Sequence, residues 1–158
     1  MKKFIITIIL ALVASISFTS YAQWQTPKYY PADDLTGTNA YYSNLYVGGE
    51  MGALVIWSNE DDVKLMAGRG IFDYDDNYVS VLVGFYEGDK LVEKVSAEFY
   101  VPNGDSNTAY TSDYKNPNLA IKIINHLRTK GKVRFVASKY SGPDFDLTVP
   151  MNKNLKRN

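Results

Sequence analysis

The chain predicts a mainly β fold with one α-helix. The first choice is an antiparallel β-sandwich or half-open barrel, and the second an α+β meander with the helix packed on one sheet face. Three observations lead there. Short runs with period-two alternation recur between Tyr41 and Val149, broken by clusters of Gly, Pro, Asn and Asp. A single segment, Asn118 to Lys130, repeats its apolar residues at the helical period. No unit of fixed length recurs, which argues against solenoids and propellers.

The first 22 residues stand apart from this fold. Lys2 and Lys3 precede a nearly unbroken apolar run of about ten residues, Phe4 to Val13, then a more polar stretch and Ala22. The run is short of the roughly 20 residues a membrane-spanning helix needs. It reads as a signal peptide, 1–22, cleaved after Ala22. It resembles the bacterial export signals common in the Bacteroidota, in which Gln follows Ala at the start of the mature chain. No Cys follows the run, so a lipid-anchored N-terminus is not expected, and no later segment is apolar enough for a span. The expected product is an exported protein, periplasmic or extracellular, with no membrane span after cleavage. Its remaining 136 residues carry 15 basic and 17 acidic side chains, a net charge of −2, and suffice for one core without disulfides.

Residues 23–38 are polar and aromatic, punctuated by Pro27, Pro31 and Gly37, and are expected to cover the surface or to be mobile. Residues 39–150 form the single β-rich domain, and 151–158 a polar, basic tail expected to fray. Within the domain, Tyr41–Val47 is the first expected strand. Ala53–Trp57 is a continuous apolar run suited to burial on both faces. Val63, Leu65 and Ala67 alternate with Asp62, Lys64 and Met66 as a return strand. Tyr78 to Val101 is a hairpin around Glu87-Gly88-Asp89-Lys90. A one-residue slip turns every side chain to the other face, so pairing Val83 with Val95 and Val81 with Ala97 requires an odd connection. That predicts a three-residue loop, Gly88 to Lys90, with one residue left-handed. Leu82 and Tyr86 make the other face of the first hairpin strand partly apolar, as in an interior strand. Residues 102–116 read as loop.

In the helix, Leu119, Ala120, Ile123, Ile124 and Leu127 share one face; Pro117 suits its first turn, Asn116 its cap and Gly131 its end. Val133 to Ala137 and Phe145 to Val149 make a final alternating pair.

Composition excludes more chemistry than it suggests. Seventeen basic against 17 acidic residues give no bulk charge for nucleic acid, and no nucleic-acid partner is expected. With no cysteine there is no disulfide, thiolate nucleophile or Cys-based metal site. One histidine, His126, excludes a multi-His metal cluster, and no G-x-S-x-G elbow supports a triad through it. It reads as a boundary or surface residue. Gly68-Arg69-Gly70 lacks the third glycine and following helix of a dinucleotide loop.

Asp73, Asp75 and Asn77 have the first three spacings of a calcium loop. The sixth position is Tyr78 where a Gly is needed, and the twelfth is Gly84 where a Glu is needed, so an EF-hand is rejected. A Ca²⁺ site of another kind is the only cofactor the sequence suggests. Asp144, Asp146, Glu93 and Glu98 would be the carboxylates of a small hydrolase, but no pattern brings two of them together. What remains is the aromatic excess, 13 Tyr and 2 Trp. Trp24, Tyr41, Tyr42, Tyr46, Tyr74, Tyr78 and Tyr140 are the candidate contacts, because tyrosine offers a flat apolar face with a polar tip. The expected function is a non-enzymatic binding or interaction module for a protein or polysaccharide. The alternatives are a carboxylate-dependent hydrolase and an inhibitor of a secreted enzyme. No family resemblance extends to the mature domain, and nothing in the sequence sets its oligomeric state.

Overall fold

The computed structural model describes residues 22–48, 52–58, 62–67, 72, 77–102, 107–112, 115–137 and 145–156. In chain order the strands are β1 (Gln23–Trp24), β2 (Lys28–Tyr30), β3 (Tyr41–Val47), β4 (Ala53–Trp57), β5 (Val63–Met66), β6 (Tyr78–Glu87), β7 (Lys90–Tyr100) and β8 (Thr108–Thr111). The helix α1 (Leu119–Thr129) follows, then β9 (Val133–Ala137) and β10 (Phe145–Val149). All ten strands hydrogen-bond into one sheet, in the order β1-β3-β4-β5-β8-β7-β6-β9-β10, with β2 lying beside β1 on the same edge of β3. Every pairing is antiparallel. The sheet does not close on itself, an architecture consistent with a β-sandwich or half-open barrel with one helix.

Alternation decides which face is inside. Leu54, Ile56, Val63, Leu65, Val79, Val81, Val83, Phe85, Phe99, Phe135 and Leu147 are all buried and point to the concave side. Helix α1 lies against that side, touching β5 and β9, which stand on either side of β8, β7 and β6 in the sheet. Its expected apolar stripe is the buried one, with His126 added at 6% exposure. Full burial of Ile123, Ile124 and Leu127 contributes about 1.5–3 kcal/mol each. Ala53–Trp57 is buried on both faces at its centre, Val55 included.

The hairpin has the expected register but reaches it by another route. Val83 pairs with Val95, Val81 with Ala97 and Val79 with Phe99. The loop itself is two residues long, since Glu87 pairs with Lys90. Gly88, at φ 60°, fills the first central position, which a type II′ turn reserves for glycine. The odd residue sits further along as a β-bulge: Tyr86 faces Leu91 and Phe85 faces Glu93, leaving Val92 unpaired.

Two other expectations are corrected. Residues 102–116 contain β8, which joins β5 to β7 at the centre of the sheet. Asn116 does not cap the helix; its side chain donates to the Glu98 carbonyl at 2.8 Å. The cap position is Asn118, left-handed at φ 65° and without a side-chain cap bond. Within residues 23–38, Gln23–Trp24 and Lys28–Tyr30 pair with β3 and lie mostly exposed.

The tail is docked as far as Lys156. Asn152 N–H donates to the Leu127 carbonyl at 2.7 Å, and Leu155 is buried. The Asn44 side chain on β3 then grips Lys156 twice, donating to its carbonyl at 3.1 Å and accepting from its N–H at 3.0 Å. Nearby, the Trp24 indole donates to the Pro150 carbonyl at 2.9 Å. A side chain on Gly48 would run into Leu147, which shows how closely the β3–β4 turn meets β10. The two edges of the sheet therefore meet through side chains and tail, not through a strand ladder.

Candidate functional site

Residues directly opposite in an antiparallel pair share a face. On the convex side, Leu45, Val55, Lys64, Tyr110, Tyr100 and Tyr78 form one cross-strand row through β3, β4, β5, β8, β7 and β6. Trp57 flanks this row on β4, two residues on from Val55. Lys64 Nζ lies 5.9 Å from the Trp57 ring centre and 5.2 Å from that of Tyr110. The Tyr78 and Tyr100 rings meet edge-on with centres 5.8 Å apart, and Lys115 Nζ lies 5.2 Å from the Tyr78 ring. At the sheet edge Tyr30 and Tyr41 stack at 4.7 Å with an interplanar angle of 11°, and Lys28 Nζ lies 4.8 Å from Tyr30.

The result is a belt of aromatic rings with lysines among them, crossing the strands. Four interstrand steps separate β4 from β6, so Trp57 and Tyr78 stand about 19 Å apart at ~4.8 Å per step. Tyr100 is 39% exposed, while Trp57, Lys64, Tyr78 and Tyr110 are half-buried. Among the described residues the ion pairs are Lys115–Glu98 at 3.1 Å, Lys122–Glu93, Lys132–Asp89 at 2.7 Å and Arg134–Asp146 at 2.6 Å. Lys28 and Lys64 belong to none of them. A cleft of about 520 Å³ adjoins Tyr30 and Tyr41, lined also by Asp33, Asp34, Thr36 and Thr38.

The expected contact residues divide between the two faces. Tyr41 and Tyr78 lie on the belt. Tyr46, Tyr42 and Trp24 lie on the opposite face of their strands. Tyr46 is 4% exposed, packed against Trp24 with ring centres 5.4 Å apart, and burial raises its hydroxyl pKa. Tyr42 pairs with Tyr29 at 5.1 Å. Tyr74 and Tyr140 lie outside the described residues. Trp57, Tyr100, Tyr110 and Tyr30 complete the belt. Their signal was strand register: each sits at an outward position of a strand whose neighbours point inward.

Of the expected metal ligands, Asp73 and Asp75 lie outside the described residues. Asn77 is left-handed at φ 56°, and its carbonyl accepts from Val101 N–H at 2.8 Å. Among the described residues no group of three or more His, Cys, Asp or Glu could hold a metal ion.

Of the carboxylates of the hydrolase alternative, the three described ones, Asp146, Glu93 and Glu98, are engaged by cations. Arg134 grips Asp146 through Nε at 2.8 Å and Nη2 at 2.6 Å, and this hydrogen-bonded pairing lowers the Asp146 pKa. The pair lines a cleft of about 300 Å³ with Tyr86, Lys132 and Thr148. Glu98 and Glu93 are paired as given above, and Asp144 lies outside the described residues. His126 is not at the surface as expected. Its Nε2 donates to the Tyr86 carbonyl at 3.0 Å, and its ring meets Phe85 edge-on at 5.2 Å. A third cleft, of about 220 Å³, lies beside it, lined by Glu93, Lys122 and Lys130 among others.

Comparison with protein families, with curated proteins and with solved structures finds no match. Among the described residues no helix is long and apolar enough to cross a membrane.

Proposed function

We propose that this chain is an exported, non-enzymatic binding module that holds a glycan or protein partner against its convex aromatic belt. The observation that carries the reading is the Trp57–Lys64–Tyr110–Tyr100–Tyr78 belt, which sets ring faces, and an ammonium with no carboxylate partner among the described residues, along the outside of the sheet. Tyrosine and tryptophan supply contact area at low entropic cost, and a sheet holds them in place before a ligand arrives. The leader-like residues 1–22 support export. Catalysis is disfavoured by the state of the carboxylates. A general acid needs a raised pKa, whereas Asp146 is held low by Arg134. An inhibitor of a secreted enzyme is one form of the protein-partner reading.

The test is a Tyr78→Ala/Tyr100→Ala double variant, set beside Tyr29→Ala, which removes an exposed tyrosine away from the belt. Immobilised proteins of both kinds are probed with a glycan array and with cross-linking in envelope extract. Loss of a specific ligand in the double variant alone supports the belt. A ligand retained by the double variant refutes it.

A further inference from the structure

Resting on that reading of the belt, we infer that its ligand is an extended acidic polysaccharide, a chain of carboxylate-bearing sugars laid across strands β4, β5, β8, β7 and β6. Charge and shape both point there. Lys64 is flanked by the Trp57 and Tyr110 rings and has no carboxylate partner among the described residues. Its half-buried stem fixes the ammonium between two ring faces, so a carboxylate reaching it brings its own sugar ring over Trp57 or Tyr110. Lys115 repeats the motif beside Tyr78, with Glu98 at 3.1 Å as its resident counter-charge. Lys28 repeats it at the edge, over Tyr30.

A protein partner would meet a groove or a compact patch; this surface is a narrow line of about 19 Å between Trp57 and Tyr78. A polymer fits a line better than a globular surface does. Drawing an ammonium off a half-buried ring costs about 0.5–2 kcal/mol, which a charge-assisted bond to a carboxylate offsets. Asp33 and Asp34 stand past Tyr30 in the edge cleft, while Glu98 beside Tyr100 and Asp62 beside Lys64 share the belt's face and set the spacing at which a ligand carboxylate can reach Lys64. Single-stranded nucleic acid also combines stacking with anionic charge, but an exported chain seldom meets it, and oligo(dT) enters the test to decide.

The experiment measures binding of the purified protein to polygalacturonate, to the same polymer fully methyl-esterified, and to oligo(dT), by affinity electrophoresis and calorimetry. The expected result is binding to polygalacturonate that weakens as salt rises, with at least a tenfold loss on esterification. Lys64→Gln and Tyr110→Ala should each weaken it about tenfold, the scale of one lost charge-assisted or stacking contact. Circular dichroism and melting temperature of both variants confirm that they fold. Equal binding of the esterified polymer overturns the acidic-ligand inference and leaves the binding-module reading standing. Binding to neither polymer, or tighter binding of oligo(dT), overturns it as well. Polygalacturonate binding unchanged in both variants refutes the belt itself.

Discussion

Replacing Asn44 with Ala should be among the most damaging changes of a polar residue in this protein. The side chain is 1% exposed and makes three hydrogen bonds: to the Ile56 carbonyl at 3.2 Å, to the Lys156 carbonyl at 3.1 Å and from the Lys156 N–H at 3.0 Å. Each is worth about 1 kcal/mol net. Water reaches Lys156 and recovers part of that, so the direct loss is about 2 kcal/mol. The tail is then held only by Asn152 and by the burial of Leu155. Leu155→Ala alone should cost about 2–4 kcal/mol. Because both residues hold the same segment, the double variant should lose at least about 1 kcal/mol less than the two singles together. Urea unfolding followed by circular dichroism measures all three. An Asn44→Ala loss under about 0.5 kcal/mol, or strict additivity with Leu155→Ala, would show that the tail is not clamped and refute the argument.

Gly131→Ala should cost about 1–3 kcal/mol, since a Cβ there overlaps the Tyr86 backbone carbonyl, which a rotamer change cannot move aside; thermal melting reads it. Deleting Val92 should cost under about 1 kcal/mol because it only removes the bulge, whereas deleting Ser96 should prevent folding by turning one half of β7 over; expression and circular dichroism distinguish them. Asp146→Asn should lower stability at neutral pH by under about 1 kcal/mol, since the pair is partly exposed. The folded Asp146 pKa lies below its usual 3.8, so this contribution is present above that value and lost as pH falls through the folded value. Urea midpoints of parent and variant should therefore converge in acid. Tyr46 has a folded pKa above 10.0, so its contribution is complete below pH 10 and lost as pH rises through the folded value. Tyr46→Phe should remove a late step from the ultraviolet titration of the tyrosines.

Much of the sheet was legible because alternation is a local property. Tyr41–Val47, Ala53–Trp57, Val133–Ala137 and Phe145–Val149 carry their burial pattern in their own residues. The β8 strand was not legible: Thr-Ala-Tyr-Thr is too short and too polar, and its strand character comes from β5 and β7 on either side. The β1 and β2 strands depend in the same way on the edge of β3. The hairpin shows a finer limit. Matching apolar faces required one extra residue, but the sequence does not say whether a loop or a bulge holds it. For the belt, the tyrosine excess was visible and its arrangement was not. Tyr110, Tyr100 and Tyr78 become neighbours only through the order β8-β7-β6, which no sequence spacing encodes.

The seam between the sheet edges joins Trp24 to Pro150 and Asn44 to Lys156, contacts separated by 126 and 112 positions along the chain. Synthesis runs from one end, so Trp24 and Asn44 are made long before their partners exist. A chain with Pro150 to Lys156 still inside the ribosome has both edges open and Leu155 missing from the core. Closure of the seam thus follows the emergence of these residues, long after the strands they latch have been made. Removing Lys156 would leave the Asn44 edge unlatched.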